Sequence, residues 1–313
     1  MVRAMKKNVL FIGSKLAGEI NLKYLLRHNR DHAFKAIVTI DDQGDNRTRY
    51  TDIKYLADSN NIPLLFAPKS NDLVDIVNRL KPEIVFVNGW YKIIAKDLIE
   101  KIDFLAFHFS LLPAYRGNAP LVWQIINGEK TLGITFFKMN SEIDSGDIID
   151  QESFALEQDE TIEDALNRAY QAMEIILERS LESIYNKSYQ SKPQTNRGVS
   201  YCGKRIPSDG LIKWDQDCKI VHNFIRAQAS PYPGAYSYDQ KGNKVIILKS
   251  EIERFSCFGV PGSVVFSSKN FVTVACSKGA IRIYNMEVEN LSGQNQINKF
   301  KIGSRFVSHS RNM

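Results

Sequence analysis

The sequence predicts an α/β protein: an open parallel sheet with helices on both faces, followed by a small, mostly antiparallel β-barrel. Three observations carry this. Short apolar runs alternate with helix-spaced stretches through the first half. A long amphipathic helix starting at Thr161 closes that half. The last third then changes to β-branched runs separated by Gly, Pro, Asn and Ser.

Element by element, NVLFIG (Asn8 to Gly13) is a strand ending in glycine, and Leu16 to Arg27 follows with helical spacing. KAIVTI is the second strand; the polar loop DDQGDNRTRY leads from it to a helix over Thr51 to Ser59. IPLLFA and EIVFVNG are further strands, separated by the helical pattern NDLVDIVNRLKP. FLAFHF (Phe104 to Phe109) reads as a buried strand and SLLPAYRG as the loop leaving its carboxyl end. GITFFKMNSEIDSGDII ends another strand in a loop of small and acidic residues. At Thr161, Asp164 three residues on approximates a capping box, and Ile162, Ala165, Ala169, Met173, Ile176 and Leu177 begin an apolar stripe. These elements place a first domain at 1–186, a polar linker broken by Pro193 and Gly198 at 187–205, and a second domain at 206–313. The second domain opens with a helix over Cys218 to Ala227, where His222 is expected to pack at the surface or against the linker.

At 313 residues, 43% hydrophobic and 24% charged, the chain can build two cores. No run approaches about 18 consecutive apolar residues, so no membrane span is expected. The apolar stretch after the basic MVRAMKK is too short for a secretory signal, and a cytoplasmic protein is expected. Cys202, Cys218, Cys257 and Cys276 form no C-x-x-C pair, which argues for reduced thiols and against a metal site or disulfide framework. The net charge of +6 is diffuse and gathers near the termini, at Arg3, Lys6, Lys7, Lys299, Lys301, Arg305 and Arg311. Such a surface suits small anionic substrates as well as nucleic acid.

His108 stands at the carboxyl end of a strand, where open α/β sheets bind their ligands. A lone histidine in an apolar run is by default a satisfied core residue. Two features weigh against that: the shaped loop SLLPAYRGNAP, and the cluster Asp144, Ser145, Gly146 and Asp147 delivered by the next strand. A carboxylate at the same edge would orient the imidazole and raise its pKa toward neutrality, making a general acid/base pair. The alternative for Asp144 is a simple Asp-Ser-Gly turn, and both readings stand at this level. Gly13 and Ser14 of GSKLAG end their strand at the same edge and are expected at a substrate site.

The stretch HFSLLPAYRGNAPLVWQIINGEKTLGITFFKMNSEIDSGDII closely resembles the signature of the 10-formyltetrahydrofolate-dependent formyltransferases. The shared pattern is H-x-SLLP-x-YRG-x-x-P, then W-x-I-x-x-G-E-x-x-x-G-x-T, then M-x-x-x-x-D-x-G-x-I. PSDGLIKW, IRAQASPYPGAYSY, PGSVV and ACSKGAIRI are similar to the C-terminal barrel of the methionyl-tRNA and amino-sugar members, so the resemblance spans nearly the whole chain. It implies a Rossmann-like formyltransferase domain followed by an OB-like barrel, with 10-formyltetrahydrofolate as formyl donor and no metal. His108 matches the catalytic histidine and Asp144 the aspartate that raises its pKa. Trp90, Tyr91 and Lys92, with Asn140, Ser141, Glu142, Ile143 and Asp144, match the two folate loops; Ser110, Leu111, Leu112 and Pro113 match the loop that floors the site. Tyr115 and Arg116 are expected to face the substrate.

The resemblance breaks at one catalytic position. The motif is N-x-H, and the asparagine belongs at 106, where this chain has Ala106 and no side-chain donor for a developing oxyanion. Losing one such donor typically costs about 10²–10³ in rate. Asn88, ending the preceding strand, is the nearest alternative amide. Two explanations account for Ala106: a substitution introduced at this position, or a natural homologue with weak or altered activity. Asn118 also departs from the arginine that follows YRG in sugar-modifying relatives.

For the accepting amine, the leading expectation is a nucleotide-linked amino sugar destined for a surface polysaccharide, for instance a 4-amino sugar of the pseudaminic-acid type. The alternatives are methionyl-tRNA and a non-catalytic folate or sugar-nucleotide binder. A tRNA enzyme needs cations in the loop after the second strand. DDQGDNRTRY instead holds three aspartates against two arginines, so a nucleic-acid partner is not expected. Exposed β-branched edges in the second domain fit a homodimer.

Overall fold

Strand β1 (Asn8–Gly13) is apolar at every position from Val9 to Ile12, and the computed structural model buries all four completely. A strand that is apolar on both faces belongs mid-sheet. The structure describes residues 7–29, 33–42, 44–45, 47–289 and 295–308; Arg3, Lys6 and Arg311 lie outside the described residues. After β1 the chain alternates as the spacing predicts: α1 (Lys15–Arg27), β2 (Ala33–Thr39), α2 (Tyr50–Ser59), β3 (Leu64–Phe66), α3 (Ser70–Leu80), β4 (Ile84–Asn88), α4 (Lys96–Ile99) and β5 (Asp103–His108). Then follow β6 (Arg116–Gly117), α5 (Pro120–Ile126), β7 (Thr131–Lys138), β8 (Ile148–Ala155), α6 (Ile162–Tyr185) and β9 (Tyr201–Cys202).

The main sheet has seven strands in the order β3-β2-β1-β4-β5-β7-β8. The first five are parallel, and β5 pairs antiparallel with β7, so the sheet is mixed where the alternation alone implied a parallel one. Its core brings Leu10, Ile12, Val85, Val87, Phe104 and Ala106 together, while Phe86 stacks with Phe136 and Phe107 with Phe136 on the opposite face. Each large side chain removed from water this way contributes roughly 1.5–3 kcal/mol. At the start of α6, Asp164 accepts the Thr161 amide at 2.8 Å and the Thr161 hydroxyl accepts the Glu163 amide, the cap read from the sequence.

The second part holds α7 (Cys218–Arg226) and five antiparallel strands: β10 (Ala235–Tyr238), β11 (Lys244–Ile252), β12 (Val264–Ser267), β13 (Val272–Ala275) and β14 (Ala280–Val288), ordered β10-β11-β14-β13-β12. Both edges of this sheet meet the same C-terminal segment: Val307 bridges to Tyr238 beside β10 and Arg305 to Ser263 beside β12. One short segment thus closes the sheet into a barrel and covers its edges. Ile212, Trp214, Val221, Ile225, Val245, Ile247, Ile281 and Phe306 are among the residues filling it.

The chain forms two compact units. The first gathers the residues up to Gly117, Gly133–Phe154 and Arg168–Tyr201; the second gathers Asn118–Leu132, Ala155–Asn167 and the chain from Cys202 onward. The chain crosses between units more than once, whereas the sequence suggests one boundary at 187–205. The reason lies in α7. Arg226 donates to the carbonyls of Glu157 and Glu160, and the His222 ring meets the Gln158 carbonyl at 3.0 Å. His222 is not at the surface: it is fully buried, with Ser250 Oγ at 3.0 Å from its other nitrogen. No helix among the described residues is long and apolar enough to cross a membrane.

Candidate active site

The carboxyl ends of β1, β4 and β5 and the loop after β7 carry the residues singled out above. Successive side chains on a strand point to opposite faces, so Phe104, Ala106 and His108 share one face of β5. Phe104 and Ala106 lie in the apolar core on that face, and His108, 7% exposed, takes the last position before the loop.

Both nitrogens of His108 meet oxygen. Nε2 lies 2.7 Å from the Tyr115 carbonyl, and Nδ1 lies 3.5 Å from Asp144 Oδ2. Each ring nitrogen therefore faces an oxygen. Asp144 Oδ2 also accepts the Gly117 amide at 2.8 Å, tying it to the loop that carries Tyr115 and Arg116. Asp144 itself has a left-handed backbone, φ +46, which costs an L-residue about 1–2 kcal/mol. That conformation needs support from elsewhere, and it comes from Gln194, whose Nε2 donates to the carbonyls of Asp144 (2.9 Å) and Gly146 (2.8 Å).

The floor loop is equally determined. Thr135, fully buried on β7, donates to the Ser110 carbonyl at 2.6 Å and accepts from the Leu112 amide at 3.0 Å and from Gln151 Nε2 at 2.8 Å. Ser110 donates onward to the Ala114 carbonyl at 2.6 Å. Leu111 and Pro113 are half-buried, and the Leu112–Pro113 peptide is cis.

Arg116 is 7% exposed, and its guanidinium has neutral partners: Gln194 Oε1 at 2.7 and 3.2 Å and the Tyr201 hydroxyl at 3.3 Å. Among the described residues no carboxylate pairs with it, so a buried guanidinium rests on neutral partners alone.

In the first folate-loop match, Trp90 is half-buried with its indole N–H enclosed and without an acceptor, Tyr91 is exposed, and Lys92 donates to the Pro68 carbonyl. In the second, Asn140, Ser141, Glu142 and Ile143 are exposed, and Asn140 Oδ1 takes the Glu142 amide and the Ser145 hydroxyl. Gly13 and Ser14 are placed differently. Both are buried, Ser14 gives its hydroxyl to the Gly89 carbonyl at 2.5 Å, and a Cβ on Gly13 would run into the Asn88 carbonyl. They shape the strand ends and present no free side-chain group. Asn88 does not replace the missing amide at 106: its Nδ2 is held by the Ala17 carbonyl (3.1 Å) and Met173 Sδ (2.9 Å).

Sequence reasoning missed Thr135, Gln151 and Gln194. The two glutamines lie in polar stretches with no periodicity to mark them, and Thr135 reads as one more β-former in a strand. The one local hint at Gln194 is Pro193, which restricts the backbone in a segment that otherwise looks slack.

Residues 9–181 match the family described as formyl transferase, and residues 205–301 match the formyl transferase C-terminal domain. The bifunctional polymyxin resistance protein ArnA of Wigglesworthia glossinidia brevipalpis is 34% identical over 255 residues, which cover 80% of this chain and 38% of that protein. This chain therefore spans well under half the length of that relative. Two solved structures share the fold with a TM-score of 0.68 and 21% identity each. One is the N-formyltransferase from Helicobacter canadensis, bound to folinic acid and dTDP-3-aminofucose, covering 90% of this chain and 99% of the other. The second is WlaRD, a sugar 3N-formyl transferase in the presence of dTDP and 5-N-formyl-THF, covering 93% and 100%.

Proposed function

Because the chain belongs to the formyl transferase family, we propose that it moves a formyl group from 10-formyltetrahydrofolate to the amine of a nucleotide-linked amino sugar. The observation that carries this is His108, buried at the end of β5 between the Tyr115 carbonyl and the Asp144 carboxylate, inside the motif shared with the family. Nucleotide-sugar neighbours of the same fold, and the buried Arg116 with its uncompensated charge, favour a diphosphate-linked substrate over other amines. A surface-polysaccharide precursor with a 4-amino group is the specific form of this reading.

The residues present fit the donor. The enclosed Trp90 N–H lacks an acceptor, as a folate carbonyl or ring nitrogen would supply, and the exposed side chains of 140–143 leave the second loop open to a ligand. Trp90, Tyr91 and Lys92 hold one side of it, Asn140 to Asp144 the other, and Ser110 to Pro113 form the floor. When bound, it supplies the formyl carbon that the amine attacks. In that step His108 would stabilise negative charge growing on the formyl oxygen by turning Nε2 from the Tyr115 carbonyl toward it, while Asp144 keeps Nδ1 aimed. As the new C–N bond formed and the formyl–nitrogen bond of the donor broke, the proton lost by the attacking amine would pass to the departing nitrogen, with Asp144 placed to hold a relaying water. Ala106 offers nothing where the family places an amide, so this chain works below the family's capacity.

The loop 41–49 speaks against tRNA. Lys15 pairs with Asp42 and Asp45, Arg47 with Asp45, and Arg49 lies near Glu19 and Asp52. The test is a formyl-transfer assay on this chain and its Ala106→Asn variant, with 10-formyltetrahydrofolate, nucleotide-linked 3- and 4-amino sugars, and methionyl-tRNA. Folate turnover with an amino sugar and none with tRNA is the expected result; formylation of tRNA alone overturns the substrate assignment.

A further inference from the structure

We infer that Gln194, from the stretch between the two family matches, is a positioning residue that aligns Asp144 and Arg116 with each other, an inference that rests on the formyl-transfer reading above. A glutamine amide offers one acceptor oxygen and two donor hydrogens. Gln194 uses both ends: Oε1 receives Nε and Nη2 of Arg116, while Nε2 reaches the carbonyls of Asp144 and Gly146. The carbonyls belong to the turn in which Asp144 adopts its left-handed backbone, three residues of chain whose position decides where the carboxylate falls relative to His108. That turn lies close against β7: a Cβ at Gly146 would overlap the Lys138 carbonyl, so only glycine fits there, and Lys138 donates its amide to the Asp147 carbonyl at 2.9 Å.

Gln194 is itself held from both sides. Lys192 and Ile148 exchange backbone hydrogen bonds at 2.8 Å, and the Ser200 carbonyl and hydroxyl take the amides of Arg116 (2.9 Å) and Tyr115 (2.8 Å). Residues 192–200 therefore form a strap linking the loop expected to hold folate to the residues expected to meet the substrate. A carboxylate at 194 would keep the acceptor for Arg116 and would repel both carbonyls; an aliphatic side chain would lose both ends.

The experiment compares the full chain with Gln194→Glu and Gln194→Leu, reading thermal unfolding, 5-formyltetrahydrofolate affinity by tryptophan fluorescence, and the pH dependence of that affinity. Both variants are expected to fold, with affinity lowered about tenfold or more by displacement of the 144–146 turn. Acidification should close part of the gap to the unsubstituted chain for Gln194→Glu, because a protonated carboxyl can again donate to a carbonyl, and should leave the gap for Gln194→Leu. Unchanged affinity in both variants, or folding lost in both, overturns the positioning role. Failure of the unsubstituted chain to bind folate removes the formyl-transfer reading, and this inference with it.

Discussion

Asp144 Oδ2 lies 3.5 Å from His108 Nδ1 and 2.8 Å from the Gly117 amide it accepts. One carboxylate oxygen thus faces the imidazole and fastens the loop carrying Arg116, so its charge and its hydrogen bond serve separate ends. Asp144→Asn keeps an acceptor for Gly117 and removes the charge. We expect transfer to fall by about 10²–10⁴ with the melting temperature little changed. Rates measured in the Ala106→Asn chain check this; a variant that keeps its rate excludes Asp144 from the chemistry.

Ala106 shares a face of β5 with His108, two residues away and 6% exposed. An asparagine there would end close to the imidazole. Ala106→Asn is expected to raise turnover by at least about tenfold, a floor below the roughly 10²–10³ typical of one oxyanion donor. Equal initial rates for the two chains at saturating donor would reject the assignment of position 106.

Thr135 serves the floor loop from full burial, with one donated and two accepted bonds. Thr135→Val keeps the shape and strands the Ser110 carbonyl and the Leu112 amide, so the loss of stability should be about 1–3 kcal/mol. Thr135→Ser should recover most of it. Urea unfolding of the three proteins decides this, and a neutral valine variant would contradict the geometry.

His222 supplies a pH dependence of stability. Burial holds its imidazole below the ordinary value of 6.5, outweighing the Gln158 carbonyl and the nearby Asp159 that favour the charged form. The folded protein then binds fewer protons than the unfolded chain once pH drops below about 6.5. The stability contributed by neutral His222 is present above that pH and is lost as pH falls toward the lowered folded value. Melting temperatures between pH 8 and 5 should decline more steeply for the native chain than for His222→Gln, and parallel curves would contradict this.

Much of this protein is legible in its sequence because the relevant signals are local. Periodicity located β1 through β5 and α6 to within a residue or two and marked the last third as β without fixing its strand ends, since burial of one face or two leaves a mark every second or every third to fourth position. His108 and Asp144 stood out because each sits in a contiguous run whose residue types are unusual together. The tertiary structure decided what depends on partners far along the chain. That β7 runs antiparallel to β5, that Val307 and Arg305 close the barrel, that α7 claims residues 157–160, and that Gln194 joins Arg116 to the Asp144 turn are pairings across tens of residues. A polar side chain in a loop carries no periodic mark, and its hydrogen-bond geometry exists only once the chain has brought the partner within about 3 Å. Ser14 shows the same limit from the other direction: its place at a strand end was evident from sequence, and only the approach of Gly89 commits its hydroxyl.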